Sequence, residues 1–191
     1  MNTAKHLFLF VGRTASGKET QGKLLAETLN AELFMTGARF RDIIASGSPL
    51  GERIKADYEK GLLMPAWVAV YMFQDFLFNL PHDTHAVFEG TGRAKEEAEM
   101  FEEVTNWLGR PYTVFNLLVS PETVIERSLK RQRDAADAEE VIKTRLAEYD
   151  RLTQPAIDYF HSVGRCIDID GEQSVEDIQK AVQAHVKSLT S

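Results

Sequence analysis

Cysteine is almost absent. Cys166 is the only one in 191 residues, so no disulfide can form within the chain, which suits a reducing cytoplasm. An excess of positive charge is absent too. The 29 acidic side chains outnumber the 22 basic ones, for a formal net charge of −7. A general nucleic-acid binder would carry the opposite balance, although a local basic pocket is compatible with this one. No apolar run is long enough to span a bilayer: the longest, PAWVAVYMFQDFLFNL, is interrupted by Gln74 and Asp75, and a spanning helix needs about 20 apolar residues. Lys5 precedes only a short apolar run, HLFLFV, without the longer apolar region and small-residue cleavage site of a signal peptide. Internal repeats, low-complexity tracts and linkers are missing as well. What is present is the composition of one soluble domain, 43% hydrophobic and 27% charged, long enough to bury a full core.

Five short apolar segments alternate with helical patterns. HLFLFV, AELFMT, HAVFEG, YTVFNLLV and CIDID read as strands buried on both faces, as in a parallel sheet. Between them, helical faces are expected at Leu24, Leu25, Thr28 and Leu29; at Phe40, Ile43 and Ile44, closed by Gly47; and at Ala98, Phe101, Trp107 and Leu108. Further faces fall at Val124, Ile125 and Leu129; at Ile142, Leu146 and Tyr149; and at Val175, Ile178, Val182 and Val186, the last behind a Ser174–Asp177 capping box. This alternation predicts an α/β fold with a parallel sheet between helices, and a ligand site at the carboxyl ends of the strands.

The segment GRTASGKETQ, Gly12 to Gln21, lies at such an end. A loop between strand and helix can aim several backbone N–H groups at one anion, and the helix N-terminus adds about half a unit of positive charge. Gly12, Gly17 and Lys18 fit the phosphate-loop pattern G-x-x-x-x-G-K-[ST]. Glu19 does not, being a carboxylate where a hydroxyl is expected, and Thr20 supplies the hydroxyl one residue late. At the first turn of a helix the Glu19 side chain can point away while its N–H faces phosphate. Taken alone, the loop also reads as a plain helix start with a solvated lysine. The next segment, MTGARFRDII, sets Thr36 and Gly37 at a strand end and Arg41 one helical turn on, a hydroxyl and a guanidinium that can hold a monophosphate together.

In these two segments the chain resembles adenylate kinases and related nucleoside monophosphate kinases, which carry G-x-P-G-x-G-K-G-T-Q and then T-G-x-x-x-R. SPLGERIKADYEKGLLMP is similar to that family's monophosphate-binding arm, VFEGTGRAKEEAEMF to its D-G-x-P-R-x-x-x-Q, and ERSLKRQRDAADAEEVIKTRLAEYDRLTQPAIDYF to its R-x-x-R…D-D…R-L-x-x-Y…T-x-P. The resemblance covers nearly the whole chain in order. It implies a P-loop NTPase three-layer sandwich with a five-stranded parallel sheet, a helical monophosphate-binding arm at about 36–70 and a short lid at about 130–138, all in one domain. It also implies phosphoryl transfer from MgATP to a nucleoside monophosphate, AMP first among them, by a cytoplasmic and monomeric enzyme without zinc. The implied ATP site is Gly12, Ala15, Ser16, Gly17, Lys18, Glu19 and Thr20. The implied acceptor site is Thr36, Arg41, Gly61, Met64, Gly90, Arg93 and Glu97, with Lys18, Arg93, Arg131, Arg133 and Arg145 as the catalytic cations. Thr20 and Glu89 would serve Mg²⁺, Glu89 through water.

The chain departs from the family at several of these positions. Glu89 stands for an aspartate, Gly92 for the proline before Arg93, and only Gln132 separates Arg131 from Arg133, with Asp134 and Asp137 in place of a paired aspartate. Such a lid has no room for a zinc-binding insert. His82 and His85 have a loose metal-like spacing but read as exposed loop residues. Glu97 replaces the glutamine that reads adenine. An ionised carboxylate only accepts hydrogen bonds, which suits the two adjacent donors of guanine. Two alternatives therefore stand beside the kinase reading: a nucleotide-binding protein with weak or no kinase activity, and a kinase whose base preference has moved toward GMP.

Overall fold

The computed structural model describes residues 5–131 and 139–190. Its centre is β1 (Leu7–Gly12), which pairs in parallel with β3 (Ala86–Glu89) on one edge and β4 (Tyr112–Leu118) on the other. β2 (Glu32–Met35) and β5 (Cys166–Asp170) complete a sheet of order β2-β3-β1-β4-β5. Each observed strand lies within one residue of its expected ends.

Alternation along β1 separates two cores. Leu7, Leu9 and Val11 face one side of the sheet. There they meet α4 (Ala66–Asn79) through Phe73 and Leu77, α5 (Lys95–Trp107) through Ala98 and Phe101, and α8 (Gln154–Ser162) through Ile157 and Phe160. Phe8 and Phe10 face the other side, covered by Leu25 and Ala26 of α1 (Lys18–Leu29) and by Ile178, Val182 and Val186 of α9 (Val175–Thr190). On the first side Phe88 meets Phe101 edge to face (5.3 Å between centroids), and Phe101 meets Tyr112 the same way (5.4 Å), an arrangement that sets ring edge against ring face.

Several expected helical faces are corrected by this packing. The buried face of α1 is Lys18, Gln21, Gly22, Leu25 and Ala26, and Thr28 is exposed, its hydroxyl donating to Leu24 O (2.8 Å). Gly22 belongs to the face because α1 lies close on the sheet: a Cβ there would already touch Val87, Phe10 and Leu33 at 3.6–3.9 Å. Trp107 is 81% exposed, because α5 ends at that residue and Leu108 turns inward as its cap. Leu129 and Val175 are also exposed, at a helix end and a helix start. Ser174 caps the helix as expected, its Oγ accepting the Asp177 N–H (3.2 Å), but the reciprocal half of the box differs: Asp177 Oδ2 accepts from the Ser174 hydroxyl (2.8 Å) rather than from its backbone N–H. His85, expected in an exposed loop, is half-buried and accepts the His6 N–H at Nδ1 (3.0 Å). No helix among the described residues is long and apolar enough to cross a membrane.

Two helices outside the sheet, α2 (Thr36–Ala45) and α3 (Pro49–Tyr58), pack with the start of α4 around a small core of their own: Phe40, Ile54, Met64 and Val68. α3 begins with Ser48, whose Oγ accepts the Gly51 N–H (3.1 Å), and with Pro49 at its first turn. Gly51 permits the close crossing of α2 and α3, since a Cβ there would sit 2.3 Å from Ile43 O. Gly51→Ala is expected to force these helices apart at a cost of about 1–3 kcal/mol. In hydrogen exchange, amides of residues 51–58 should lose protection while β1 and β4 keep theirs; unchanged exchange across α3 would refute the packing account.

Candidate active site

β1 ends at Gly12, and the chain turns there through a backbone that only glycine tolerates well. Its φ is +130°, and a Cβ would lie 2.6 Å from Leu117 O on β4. The loop then runs to Gly17, which precedes the first turn of α1 in a left-handed conformation. Thr14, Ala15, Ser16, Gly17, Lys18, Glu19 and Thr20 all line one cavity of about 510 Å³, while Gly12 lies beneath the loop, outside the lining. Lys18 is buried, and its Nζ donates to the Arg13 carbonyl oxygen (2.5 Å), within the same loop. Glu19 bonds to Lys23 one turn on (2.8 Å). That pairing, with the acid on the N-terminal side, offsets the carboxylate's charge next to an anion site. Lys23 lines the cavity as well.

Arg13 ties the loop down. One guanidinium nitrogen donates to Val119 O (2.9 Å), the other reaches Asp150 (3.2 Å), and the group stacks over the Tyr149 ring at 4.7 Å. Tyr149 and Asp150 begin a π-helical segment, Tyr149–Thr153, that continues from α7 (Glu139–Glu148). The loop is thereby joined to the helix that carries Arg145.

The opposite wall comes from α2, β3 and the turn after β3. Thr36, Gly37, Arg41, Glu89, Gly90 and Arg93 line the cavity there. Thr36 Oγ1 lies 3.1 Å from Thr91 Oγ1, a hydroxyl pair that fixes the start of α2 against the turn. Burial pulls the Arg93 guanidinium below its ordinary value, with Glu89 and Glu97 pulling it back up and Arg145 lowering it further. Gly61 and Met64 line the cavity beside Phe40, Tyr58, Leu62 and Leu63, an apolar end that suits a nucleobase. The Arg145 guanidinium lies 5.7 Å from the Tyr58 ring centroid. Leu63 N–H donates to Glu148 Oε2 (3.3 Å), so the arm touches α7 directly.

Sequence reasoning passed over Lys23, Phe40, Tyr58, Leu62, Leu63 and Arg127 as lining residues. Arg127, on α6 (Pro121–Arg131), donates to Gly171 O (3.0 Å). It stood within ERSLKRQR, where a basic run gives no sign of which cation turns inward. It also passed over His161, Cys166 and Asp168, whose ligand-type atoms lie within 4.8 Å of one another, outside the cavity lining. The side chain of Arg131, together with Gln132, Arg133, Asp134 and Asp137, lies outside the described residues.

Glu97 is the one expected lining residue that points elsewhere on the acceptor side. It is 3% exposed and absent from the cavity wall. Its Oε2 accepts the backbone N–H groups of Gly92 and Arg93, both at 3.0 Å. Burial pushes its carboxyl up to about 7, with Arg93 and the two N–H groups opposing. A base-reading carboxylate does not describe this side chain.

The family model for adenylate kinase matches residues 10–165, a span that contains both walls of this cavity. The chain belongs to the adenylate kinase family. Its relatives in that family include the adenylate kinase of Corynebacterium urealyticum, 36% identical over 91% of this chain and 94% of the relative. Adenylate kinase 1 of a Synechocystis species is 35% identical over 98% of this chain and 100% of its own length. The adenylate kinase of a Caulobacter species is 33% identical over 94% and 96%.

Against the family's glycine-rich loop, Ala15 stands out, because its φ is +55°. A left-handed conformation costs a side-chain-bearing residue roughly 1–2 kcal/mol. The extra freedom of an unfolded glycine returns only about 0.4–1 kcal/mol. Ala15→Gly is therefore expected to stabilise the protein by about 0.5–1 kcal/mol, read as a higher melting temperature; a lower one would show that the loop carries no strain at this residue.

Proposed function

We propose that this chain catalyses reversible transfer of the γ-phosphoryl group of ATP to AMP, giving two ADP. One observation carries the reading: two sets of groups suited to binding phosphate line a single cavity. Lys18 and the loop amides lie on one side, Thr36, Arg41 and Arg93 on the other, and Arg127 and Arg145 stand between them on the lid-side helices. The names and near full-length cover of the relatives support the same acceptor.

In this reading the loop from Gly12 to Thr20 cradles the donor's phosphates and Lys18 exchanges its bond to Arg13 O for a phosphate oxygen. Thr36, Arg41, Gly90 and Arg93 hold the acceptor phosphate, and Gly61, Met64 and their apolar neighbours cover its base. An acceptor phosphate oxygen attacks the γ-phosphorus as the bond to the β-phosphate oxygen breaks; ADP departs, and the attacking oxygen, already ionised, needs no base. Catalysis consists of alignment and charge neutralisation, the main needs of phosphoryl transfer. Thr20 and Glu89 present hard oxygen donors on the cavity wall, the ligand type that magnesium takes directly or through water. When bound there, that ion supplies charge neutralisation on the donor's phosphate oxygens.

The reading includes a single domain whose arm, about 36–70, closes on the acceptor together with a lid at about 130–138, excluding water. The contact between Leu63 and Glu148 supports an arm that can dock on α7. It also includes Arg131 and Arg133 as lid cations, a monomer and a cytoplasmic place. The GMP alternative loses its motive with Glu97 turned from the cavity, and the weak-activity alternative loses part of its own with Glu19 paired to Lys23.

A coupled ADP-release assay with MgATP against AMP, GMP, CMP, UMP and dTMP tests the proposal. Turnover is expected with AMP first, and Lys18→Ala and Arg93→Ala should each lower kcat on the order of 10²–10³-fold. ATP binding without turnover of any monophosphate would overturn it.

A further inference from the structure

We infer that Glu97 is a positioning residue for the acceptor-phosphate site: its buried carboxylate holds the Gly92–Arg93 turn, and the acceptor base is recognised without it. This inference rests on the kinase reading and deepens it. Glu97 is the third residue of α5, after Lys95 and Glu96. A glutamate there can bend back over the helix start and accept backbone N–H groups ahead of it. Both 3.0 Å bonds of Oε2 have that form.

The second acceptor bond exists only because residue 92 is glycine. A proline would have no N–H to donate, and its ring would hold φ near −65°, whereas Gly92 has φ +73°. Nor does another residue fit easily, since a Cβ at Gly92 would lie 2.9 Å from the Phe160 ring. Gly92 and Glu97, two separate departures from the family pattern, are thus donor and acceptor of one hydrogen bond. The adjacent residue, Arg93, donates the other bond from its backbone and turns its guanidinium toward the cavity. Its Nε is buried without a partner, so the guanidinium is held by its backbone and surroundings rather than by a bond at that nitrogen. Removing the carboxylate leaves two buried N–H groups unpaired directly under the side chain that meets the acceptor phosphate.

The test compares wild type, Glu97→Gln and Glu97→Leu with AMP and GMP as acceptors, alongside the KM for ATP. Glu97→Leu should raise the KM for AMP roughly tenfold or more, as expected for buried donors left unpaired, while the KM for ATP stays within about twofold. Glu97→Gln keeps an acceptor oxygen and should recover most of the loss. The ratio of kcat/KM for AMP to that for GMP should be the same in all three proteins. A changed ratio in Glu97→Gln would show that this side chain reads the base and would overturn the inference; so would an unchanged KM for AMP in Glu97→Leu. Wild type without turnover of either monophosphate would overturn the kinase reading and this one with it.

Should Glu97→Leu not fold, amide resonances decide. The titratable groups facing this pair are Arg93 and Glu96 beside Glu97, with Glu89, Arg145 and Tyr58 around Arg93. In wild type the Gly92 and Arg93 amides should shift together with the Glu97 carboxyl carbon at whatever pH that group titrates, and both should stay flat in Glu97→Gln. Flat amides while the carboxyl carbon titrates would overturn the inference.

Discussion

β1 is paired along both edges and buried on both faces, and that confinement sets where the loop that lines the cavity begins. Its side chains are 0–1% exposed from Leu7 to Val11. The strand therefore delivers Gly12 to one place, pressed against Leu117 O, and the loop amides follow from it. The same sheet places the ends of β2 and β3 beside that loop, with Thr36 just after one and the Arg93 turn just after the other. The two walls of the cavity meet because they follow the carboxyl ends of parallel strands in one sheet, the position at which open α/β sheets bind ligands.

The chain carries seven more negative than positive charges, yet its cavity gathers Lys18, Lys23, Arg41, Arg93, Arg127 and Arg145. Cations this close repel one another, and the protein tempers the repulsion with its own acceptors. Lys18 leans on Arg13 O, Arg127 on Gly171 O, Lys23 on Glu19, and Arg145 on the Tyr58 ring. In the proposed reaction Lys18 and Arg127 can exchange a neutral carbonyl oxygen for an ionised phosphate oxygen, which pairs charge with charge. Arg93 is different, because Glu97 secures its backbone rather than its side chain and so survives the exchange.

Much of this was legible in the sequence. Strands buried on both faces are continuous apolar runs, and all five were found to within a residue. Lys18, Thr36 and Arg41, singled out by their spacing from a strand end or helix start, and Arg93, added by the family resemblance, all line the cavity. The faces of helices were less legible. Trp107 and Leu129 are apolar side chains at helix ends, where periodicity continues but the neighbouring layer does not. Phe40 was expected only on a helical face, Tyr58 and Leu62 only within the arm, and which of them borders the cavity depends on how α2 and α3 cross at Gly51. The direction of Glu97 was hidden for a sharper reason: it follows from an N–H at residue 92 and a φ that no spacing rule expresses.

The central place of β1 also has a consequence for the order in which the molecule is made. Leu7 is in register with Ala86 and Tyr112, and Phe8 and Phe10 are covered by a helix that begins only at Val175. A nascent chain thus exposes its most apolar strand throughout the synthesis of the segments meant to enclose it. Native contacts so distant along the chain slow folding, and unpaired strand edges invite association in the interval. Delayed enclosure of β1 is built into the same topology that brings the two walls of the cavity together.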